Sequence, residues 1–546
     1  MKTQRKLSKA LALCLTLLMA ISLFGTTAFA ITPDATGTIT VSGVENNLTV
    51  SAYRLMTVNV NTASGQPQTP VYTWVDAVAT WLRSTKGQNP DFSSYVGSEG
   101  DNSVQDAFNS TAVNDTTGGS KTFYDALAAA IRGNTITLEA AKTATTADGA
   151  ASITELDMGN YLILIENGMK VYSPSAVNLV PEWDEEADSG NGAWVMSDAA
   201  VEVKSSELTI TKTVKAPNTT EGQEKDNASM GDTVTFDIVT DVPQFPANAL
   251  AKNYAISDTL PTGLTFNGDT LAVYGVTGDG ETQLTAGEGG AYRQGTTRPT
   301  GVTGETTTTF TLTFDYAQIS SYDQIHVTYT ATLNGTADVG APGNTNTAYL
   351  DYTNNPYTQT SWQSQDDSAT VYTYGLDISK VDADDNSQAL TGAVFELYAS
   401  EEDANNGSNK ISFVRDDDGV YHKVAAGTEG AGTSLTVHST TGKLTLNGLD
   451  GGTWYLKEIT APDGYNLLAG PVSVDIVDTD LDGEVTVDNA ELNTGLVPLT
   501  VENDNGFQLP VTGGMGTILF TAVGVVLMGA AVVLLIIVIK KKRAEN

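Results

Sequence analysis

Cysteine is almost missing from the 546 residues: the single one, Cys14, lies in the first thirty. A chain that loses those residues has no disulfide and no thiolate metal site. Histidine is nearly as scarce, with only His326, His422 and His438, which argues against a His-based hydrolase or a zinc enzyme. Basic residues are few, 28 against 65 acids, and eight of them crowd the two ends. Between Ile31 and Thr512 there are 20 bases and 64 acids, a net charge of -44. Such a chain offers no basic patch to nucleic acid or anionic lipid, so neither is expected as a partner. No cofactor is expected either, and any chemistry must use Lys, Asn, Asp and Glu. Hydrophobic residues make up 40% and are patterned throughout, which excludes a disordered chain. At roughly 150 residues per domain, the length suggests three or four domains.

The two ends carry addresses. Residues 1–30 combine Lys2, Arg5, Lys6 and Lys9 with an apolar run from Leu11 to Phe24 and the ending Ala28-Phe29-Ala30. This is the pattern of a secretory signal peptide cleaved after Ala30. Near the other end stands Leu509-Pro510-Val511-Thr512-Gly513, followed by an uncharged span at 517–539 and the basic tail Lys540 to Arg543. That span is long enough to cross a bilayer, with the tail on the cytoplasmic side. The ordered triplet at 509–546 resembles the LPxTG cell-wall sorting signal of Gram-positive bacteria. The resemblance implies a sortase that cleaves between Thr512 and Gly513 and passes the Thr512 carbonyl to an amine, so membrane retention by the helix is transient.

Three domains are expected between the ends. Residues 31–204 mix strands (Gly37 to Gly43, Leu48 to Met56, Tyr161 to Ile165) with helical spacing at Trp74, Val75, Val78, Trp81 and Leu82, and again at Phe123, Leu127 and Ile131. Residues 205–374 and 375–508 are Thr-rich alternating strands broken by Gly, Pro and Asn turns. The expected fold is therefore mainly β: tandem Ig-like sandwiches of antiparallel strands, with helical insertions in the first domain.

Alternate residues of a strand share a face, so parity identifies buried positions. Lys212 falls in an apolar row with Leu208, Ile210 and Val214, and Lys380 with Leu376 and Ile378. Asn346 aligns with Ala348, Leu350 and Tyr352, and Asn503 with Val497, Leu499 and Val501. Between them come acids: Asp258 beside Ile256 and Leu260, Glu458 beside Trp454 and Leu456. The order Lys, acid, Asn thus occurs twice in succession. In an apolar core a lysine's pKa falls and a carboxylic acid's rises, so both can be neutral. A neutral amine can attack an amide carbon polarised by a protonated acid, giving a Lys–Asn isopeptide and ammonia. Fixed side chains can supply effective molarities of roughly 10⁵ M or more for such a slow reaction.

Specific stretches carry a resemblance. Tyr455-Leu-Lys-Glu-Ile-Thr-Ala-Pro-Asp-Gly-Tyr465 and Thr391-Gly-Ala-Val-Phe-Glu-Leu-Tyr398 resemble collagen-adhesin B-type (Cna-B) domains. Ile256 to Leu264 and Asn346 to Pro356 resemble the middle domain of sortase-assembled backbone pilins. The resemblance implies spontaneous crosslinks Lys212–Asn346, promoted by Asp258, and Lys380–Asn503, promoted by Glu458. Asn344 shares the parity of Asn346, and only the motif chooses between them. Lys212 and Asn346 are expected on the first and last strands of their domain, as are Lys380 and Asn503. The first domain has no lysine in its opening strand, although Glu166 shares a face with Leu162 and Leu164, and it is read as lacking a crosslink.

The segment Trp194 to Lys204 is similar to the family's acceptor motif, without its Tyr-Pro and with one extra residue, so Lys204 is the expected acceptor and Lys170 and Lys215 are reserves. Asp478, Asp480, Asp482, Gly483 and Glu484 read like the start of a calcium loop, but Asn489 stands where a closing Glu is expected; a solvated acidic turn is the plainer reading. The resemblance implies the major subunit of a covalent pilus rather than an enzyme with turnover. Its partners would be a pilin-type (class C) sortase, further copies of the chain, minor pilins, peptidoglycan and a host surface ligand. The alternative is a minor pilin or singly anchored adhesin that uses the same domains as a stalk.

Overall fold

The computed structural model describes residues 31–505 and 515–544, apart from 33, 64, 109–118, 247, 279, 305 and 359. The leader and the Leu509 to Gly513 motif lie outside the described residues. The chain is mainly β, with 46% strand and 12% helix.

The first unit pairs Ala199–Glu202, Thr36–Ser42 and Ala150–Asp157 in one sheet. A second sheet contains Pro67–Trp74, Thr49–Val60, Gly159–Glu166 and Ser175–Leu179, with Lys142–Thr145 also paired to Thr49–Val60. Thr49–Val60 and Gly159–Glu166 are apolar on both faces because both faces are covered. Val50, Ala52 and Ile163 meet Ile39, Val41 and Ile153 of the smaller sheet. Tyr53, Leu55 and Leu162 instead meet the helices Asp76–Ser84 and Gly119–Arg132 through Val78, Leu82, Phe123 and Leu127. The helix begins later than its apolar spacing suggests. Trp74 ends a strand, where its indole Nε1 donates to Tyr95 O at 2.8 Å.

The middle unit is a sandwich. One sheet runs Ile210–Lys215, Thr233–Asp241, Gln324–Leu333, Leu264–Thr277, Gly280–Gln283. The other runs Lys225–Asn227, Gln363–Tyr372, Asn344–Tyr352, Tyr254–Thr259, Thr307–Phe314, Tyr292–Thr297. Strict alternation of buried and half-exposed residues along Thr233–Asp241 and Gln324–Leu333 gives one core face and one solvated face. Asn346 lies on the penultimate strand, not the last. The last, Gln363–Tyr372, returns beside it and leads into Tyr374–Asp382 of the third unit.

The third sandwich sets Ser412–Arg415, Tyr421–Val424, Lys443–Leu449, Tyr374–Asp382 and Leu496–Asn503 against Leu435–Thr436, Val394–Tyr398, Gly452–Thr460 and Val472–Ile476. Here the first and last strands are neighbours, and they run parallel, Lys380 opposite Val501 and Asp382 opposite Asn503. Parallel pairing also joins Thr36–Ser42 to Ala199–Glu202 and Lys225–Asn227 to Gln363–Tyr372, so the sheets are not purely antiparallel. Alternation alone cannot distinguish the two, because both have a side-chain period of two.

The units are tied together. Tyr357, on the loop after Asn344–Tyr352, is 4% exposed and belongs to the helix-covered core of the first unit. The same loop holds Leu250 N through Pro356 O (2.6 Å) and Gly168 O through Asn354 Nδ2 (2.8 Å). Between the middle and third units, Met230 N donates to Gly448 O (2.9 Å) and Asp450 N to Ser229 Oγ (3.0 Å). Gly340 (φ +74°) lies so close to Gly495 that a Cβ would stand 2.7 Å from its Cα. At the end of the chain Met515–Ala544 forms one helix. Among the described residues no helix is long and apolar enough to cross a membrane, but part of the expected span at 517–539 has no described side chains.

Candidate functional site

Lys212 is carried into the middle core by strand parity from the first sheet, while Asp258 and Asn346 arrive on adjacent strands of the facing sheet. All three are fully buried. Lys212 Nζ is in contact with Asp258 Oδ2. It also donates to the Tyr329 hydroxyl at 3.0 Å, and Asn346 Nδ2 donates to the same hydroxyl at 2.6 Å. Phe236 and Tyr329 present ring faces to Nζ at 5.0 and 5.4 Å. Burial drives the Lys212 pKa down, opposed by Asp258, and drives the Asp258 pKa up, opposed by Lys212. Both shifts favour the neutral amine and the neutral acid. Asp258 Oδ1 and Asn346 Oδ1 are buried without hydrogen-bond partners. An ionised Asp258 would have nothing to donate to the amide oxygen, whereas a protonated one has a hydrogen to offer. Asn344, of the same parity, is different: its Oδ1 accepts from Asp338 N, and its Nδ2 donates to Asp338 O and Val371 O. Its amide is satisfied as a turn clamp.

The third unit assembles the second set. Lys380 and Asn503 sit on the parallel first and last strands, and Glu458 on Gly452–Thr460 of the facing sheet. All three are buried. Lys380 Nζ donates to Val501 O at 3.0 Å, and burial lowers its pKa to about 8. Asn503 Nδ2 donates to Glu458 Oε2 at 2.9 Å and to Asn466 O at 2.6 Å. Leu468 N also reaches Glu458 Oε2, at 3.0 Å, so the loop after Gly452–Thr460 folds over the site. Glu458 Oε1 and Asn503 Oδ1 are again buried without partners. The same two atoms, one acid oxygen and one amide oxygen, are therefore orphaned in both sets.

Sequence reasoning missed Tyr329 and the Asn466 carbonyl. Tyr329 shares parity with Ile325, Val327, Ala331 and Leu333, and the signal was its hydroxyl, which cannot remain unpaired in such a row. Lys204 is exposed between two short strands, and its carbonyl accepts from Ser173 N at 2.9 Å. Lys170 pairs with Glu207 at 3.2 Å, and Lys215 is half-buried at the end of Ile210–Lys215. Glu166, which parity placed inward, pairs with Arg132. The carboxylates of Asp478, Asp480 and Asp482 do cluster. Asp478 Oδ2, however, accepts from Tyr374 Oη and Gly483 N, both at 2.8 Å. Asn489 has φ +63° in a two-residue turn between the paired strands Thr486–Val487 and Ala490–Glu491. It serves as a hairpin residue rather than closing the loop.

Comparison with known proteins matches this architecture. Residues 375–491 match the SpaA family, described as a prealbumin-like fold domain. Residues 230–356 match the Gram-positive pilin backbone subunit 2, Cna-B-like domain, and residues 501–546 the LPXTG cell wall anchor motif. The chain thus carries pilin-type domains ahead of a cell-wall anchor, which makes it a surface protein held at the cell wall. The trypsin-resistant surface T6 protein of Streptococcus pyogenes serotype M6 is 28% identical over 277 residues, 48% of this chain and 45% of the relative. The chain therefore spans less than half the length of that relative. The solved T6 backbone pilin of serotype M6 S. pyogenes has a similar fold, with a TM-score of 0.54 at 17% identity over 87% of this chain and 99% of that one. The major pilin SpaD of Corynebacterium diphtheriae aligns at a TM-score of 0.47 and 17% identity, over 87% and 98%.

Proposed function

We propose that the chain is the major structural subunit of a covalently polymerised pilus on a Gram-positive surface, a fibre protein rather than an enzyme with turnover. In this reading a pilin-type sortase cleaves after Thr512 and joins its carbonyl to Lys204 of another copy. Repetition gives a head-to-tail polymer that carries minor pilins, ends on peptidoglycan and supports adhesion to a host surface.

Within each subunit, Lys212 Nζ bonds to Asn346 Cγ and Lys380 Nζ to Asn503 Cγ. Each step breaks a Cγ–Nδ2 bond and releases ammonia. Asp258, protonated, polarises the Asn346 oxygen, and Glu458 takes the corresponding place beside Asn503. The observation that carries this reading is the duplicated set itself: in two successive sandwiches a buried lysine, acid and asparagine converge, each leaving the acid and amide oxygens unpartnered. Buried charges and polar groups without partners cost several kcal/mol, so a set with no chemical use is hard to maintain twice.

Intact mass of the ectodomain tests the crosslinks. Wild type should weigh two ammonias less than its sequence, and an unmodified mass overturns them. Denaturing gels of wall extracts test the polymer: a ladder of subunit multiples is expected, and a single band would instead mark a singly anchored stalk.

A further inference from the structure

Tyr329 enters the middle set from Gln324–Leu333, a strand that supplies none of the three groups expected there. Its ring is 1% exposed and wedged among Phe236, Phe266 and Phe310 at centroid distances of 5.5, 5.4 and 5.2 Å. The hydroxyl touches both nitrogens of the reaction: the Lys212 amine at 3.0 Å and the Asn346 amide nitrogen at 2.6 Å. One of these nitrogens must lose a proton and the other must gain one.

We propose that Tyr329 is a catalytic residue of the Lys212–Asn346 reaction, its hydroxyl carrying a proton from the attacking amine to the departing amide nitrogen. The inference rests on the crosslink reading above. As a reactant amide, Asn346 Nδ2 has no available lone pair, and the hydroxyl accepts its hydrogen. Attack by neutral Lys212 Nζ forms the Nζ–Cγ bond and makes Cγ tetrahedral, with Asp258 holding Oδ1. Nδ2 then becomes an amine and can accept. Tyr329 takes one hydrogen from Nζ as it gives its own to Nδ2, the Cγ–Nδ2 bond breaks, and ammonia leaves. The tyrosine ends as it began, and Asp258 recovers its proton as the carbonyl reforms. Burial holds the Tyr329 pKa far above the usual phenol value, which suits a group that exchanges protons in concert rather than ionising.

The third unit handles the same problem differently. Lys380 Nζ faces the Val501 carbonyl, and Asn503 Nδ2 faces the Asn466 carbonyl and Glu458 Oε2. A carbonyl can accept a hydrogen bond but has no proton to return, so these contacts include no counterpart of the Tyr329 hydroxyl. The two sets share an outcome but not a relay, and this provides an internal control.

Tyr329→Phe keeps the ring and removes only the oxygen. The full chain, wild type and variant, is made in a cell-free system and sampled over time, and each linked peptide pair is quantified after digestion. In the variant the Lys212–Asn346 pair should form about 10²-fold more slowly, the lower range for general acid–base catalysis, while Lys380–Asn503 forms at the wild-type pace. A crystal structure of the slow variant should show Lys212 still beside Asn346. Middle-domain linkage at the wild-type rate, equal slowing of both linkages, or a displaced Lys212 would each overturn the role of Tyr329. A wild-type chain that never links Lys212 to Asn346 would overturn the crosslink itself, a distinct result.

Discussion

At the residue scale, the two sets differ in how much each acid must do, and substitutions should expose it. Asp258→Ala and Glu458→Ala each leave the lysine and asparagine in place but unjoined, so by intact mass each variant should weigh one ammonia less than its own sequence, where wild type weighs two less. A residue outside the sets gives a pH signature. His326 Nε2 meets Asp237 at 2.9 Å and Nδ1 meets Glu281 at 3.0 Å. The Asp237 hydrogen bond is the main cause of a raised His326 pKa, above the ordinary 6.5. A raised folded pKa means stabilisation that is complete below about 6.5 and lost as pH rises through the folded value. The middle domain of wild type should therefore lose melting temperature over that upward interval, and His326→Gln should flatten the loss. The buried lysines, acids and asparagines were legible because parity placed polar groups where only hydrocarbon belongs. Tyr329 was not, because a tyrosine in an alternating row is also what an ordinary core contains, and its partners come from another sheet.

At the element scale, the middle and third sandwiches close differently. In the third, the strands that the proposed crosslink would join are the first and last and lie side by side. In the middle, the crosslink would bridge two sheets and stop one strand short of the end, leaving Gln363–Tyr372 held by hydrogen bonds and packing alone. A clamp lies at the far end of that strand. Arg298, 3% exposed, donates to both carboxylate oxygens of Asp351 (2.9 and 2.6 Å), contacts Ser364 and stacks on Tyr349 at 4.1 Å. Arg298→Met strands the Asp351 charge in the core and should cost about 3–5 kcal/mol in chemical denaturation. The double variant with Asp351→Leu should recover much of that. Strand existence and face could be read from alternation. Which strands are neighbours could not, since sheet order and parallel sense are settled by contacts far apart in sequence, and this is why Asn346 was expected one strand too late.

At the scale of the whole molecule, load entering at Lys204 and leaving at Thr512 passes through both proposed crosslinks. The third domain should not lengthen, because its proposed crosslink would run from first strand to last. The middle domain has a gap: the 27 residues from Thr347 to Thr373 lie beyond the crosslink. Pulling a single chain between those points should give one step from this unit, of at most about 90 Å at roughly 3.4 Å per residue. Lys380→Ala should add a second, longer step from the third. Polymer formation has its own test. Lys204→Ala should abolish the ladder and leave wall-anchored monomer, and a surviving ladder would point to Lys170 or Lys215.

Tyr357 bears on how such a chain comes into being. A polypeptide delivered across a membrane from its N-terminus ordinarily folds its leading domain first. Here the leading domain's helical core includes Tyr357, a residue of the following domain. Packing of that core is therefore expected to finish only once Tyr357 has emerged with the next sandwich. The junction that displays Lys204 is thereby completed late, after the strands that contain Asn346 have been delivered.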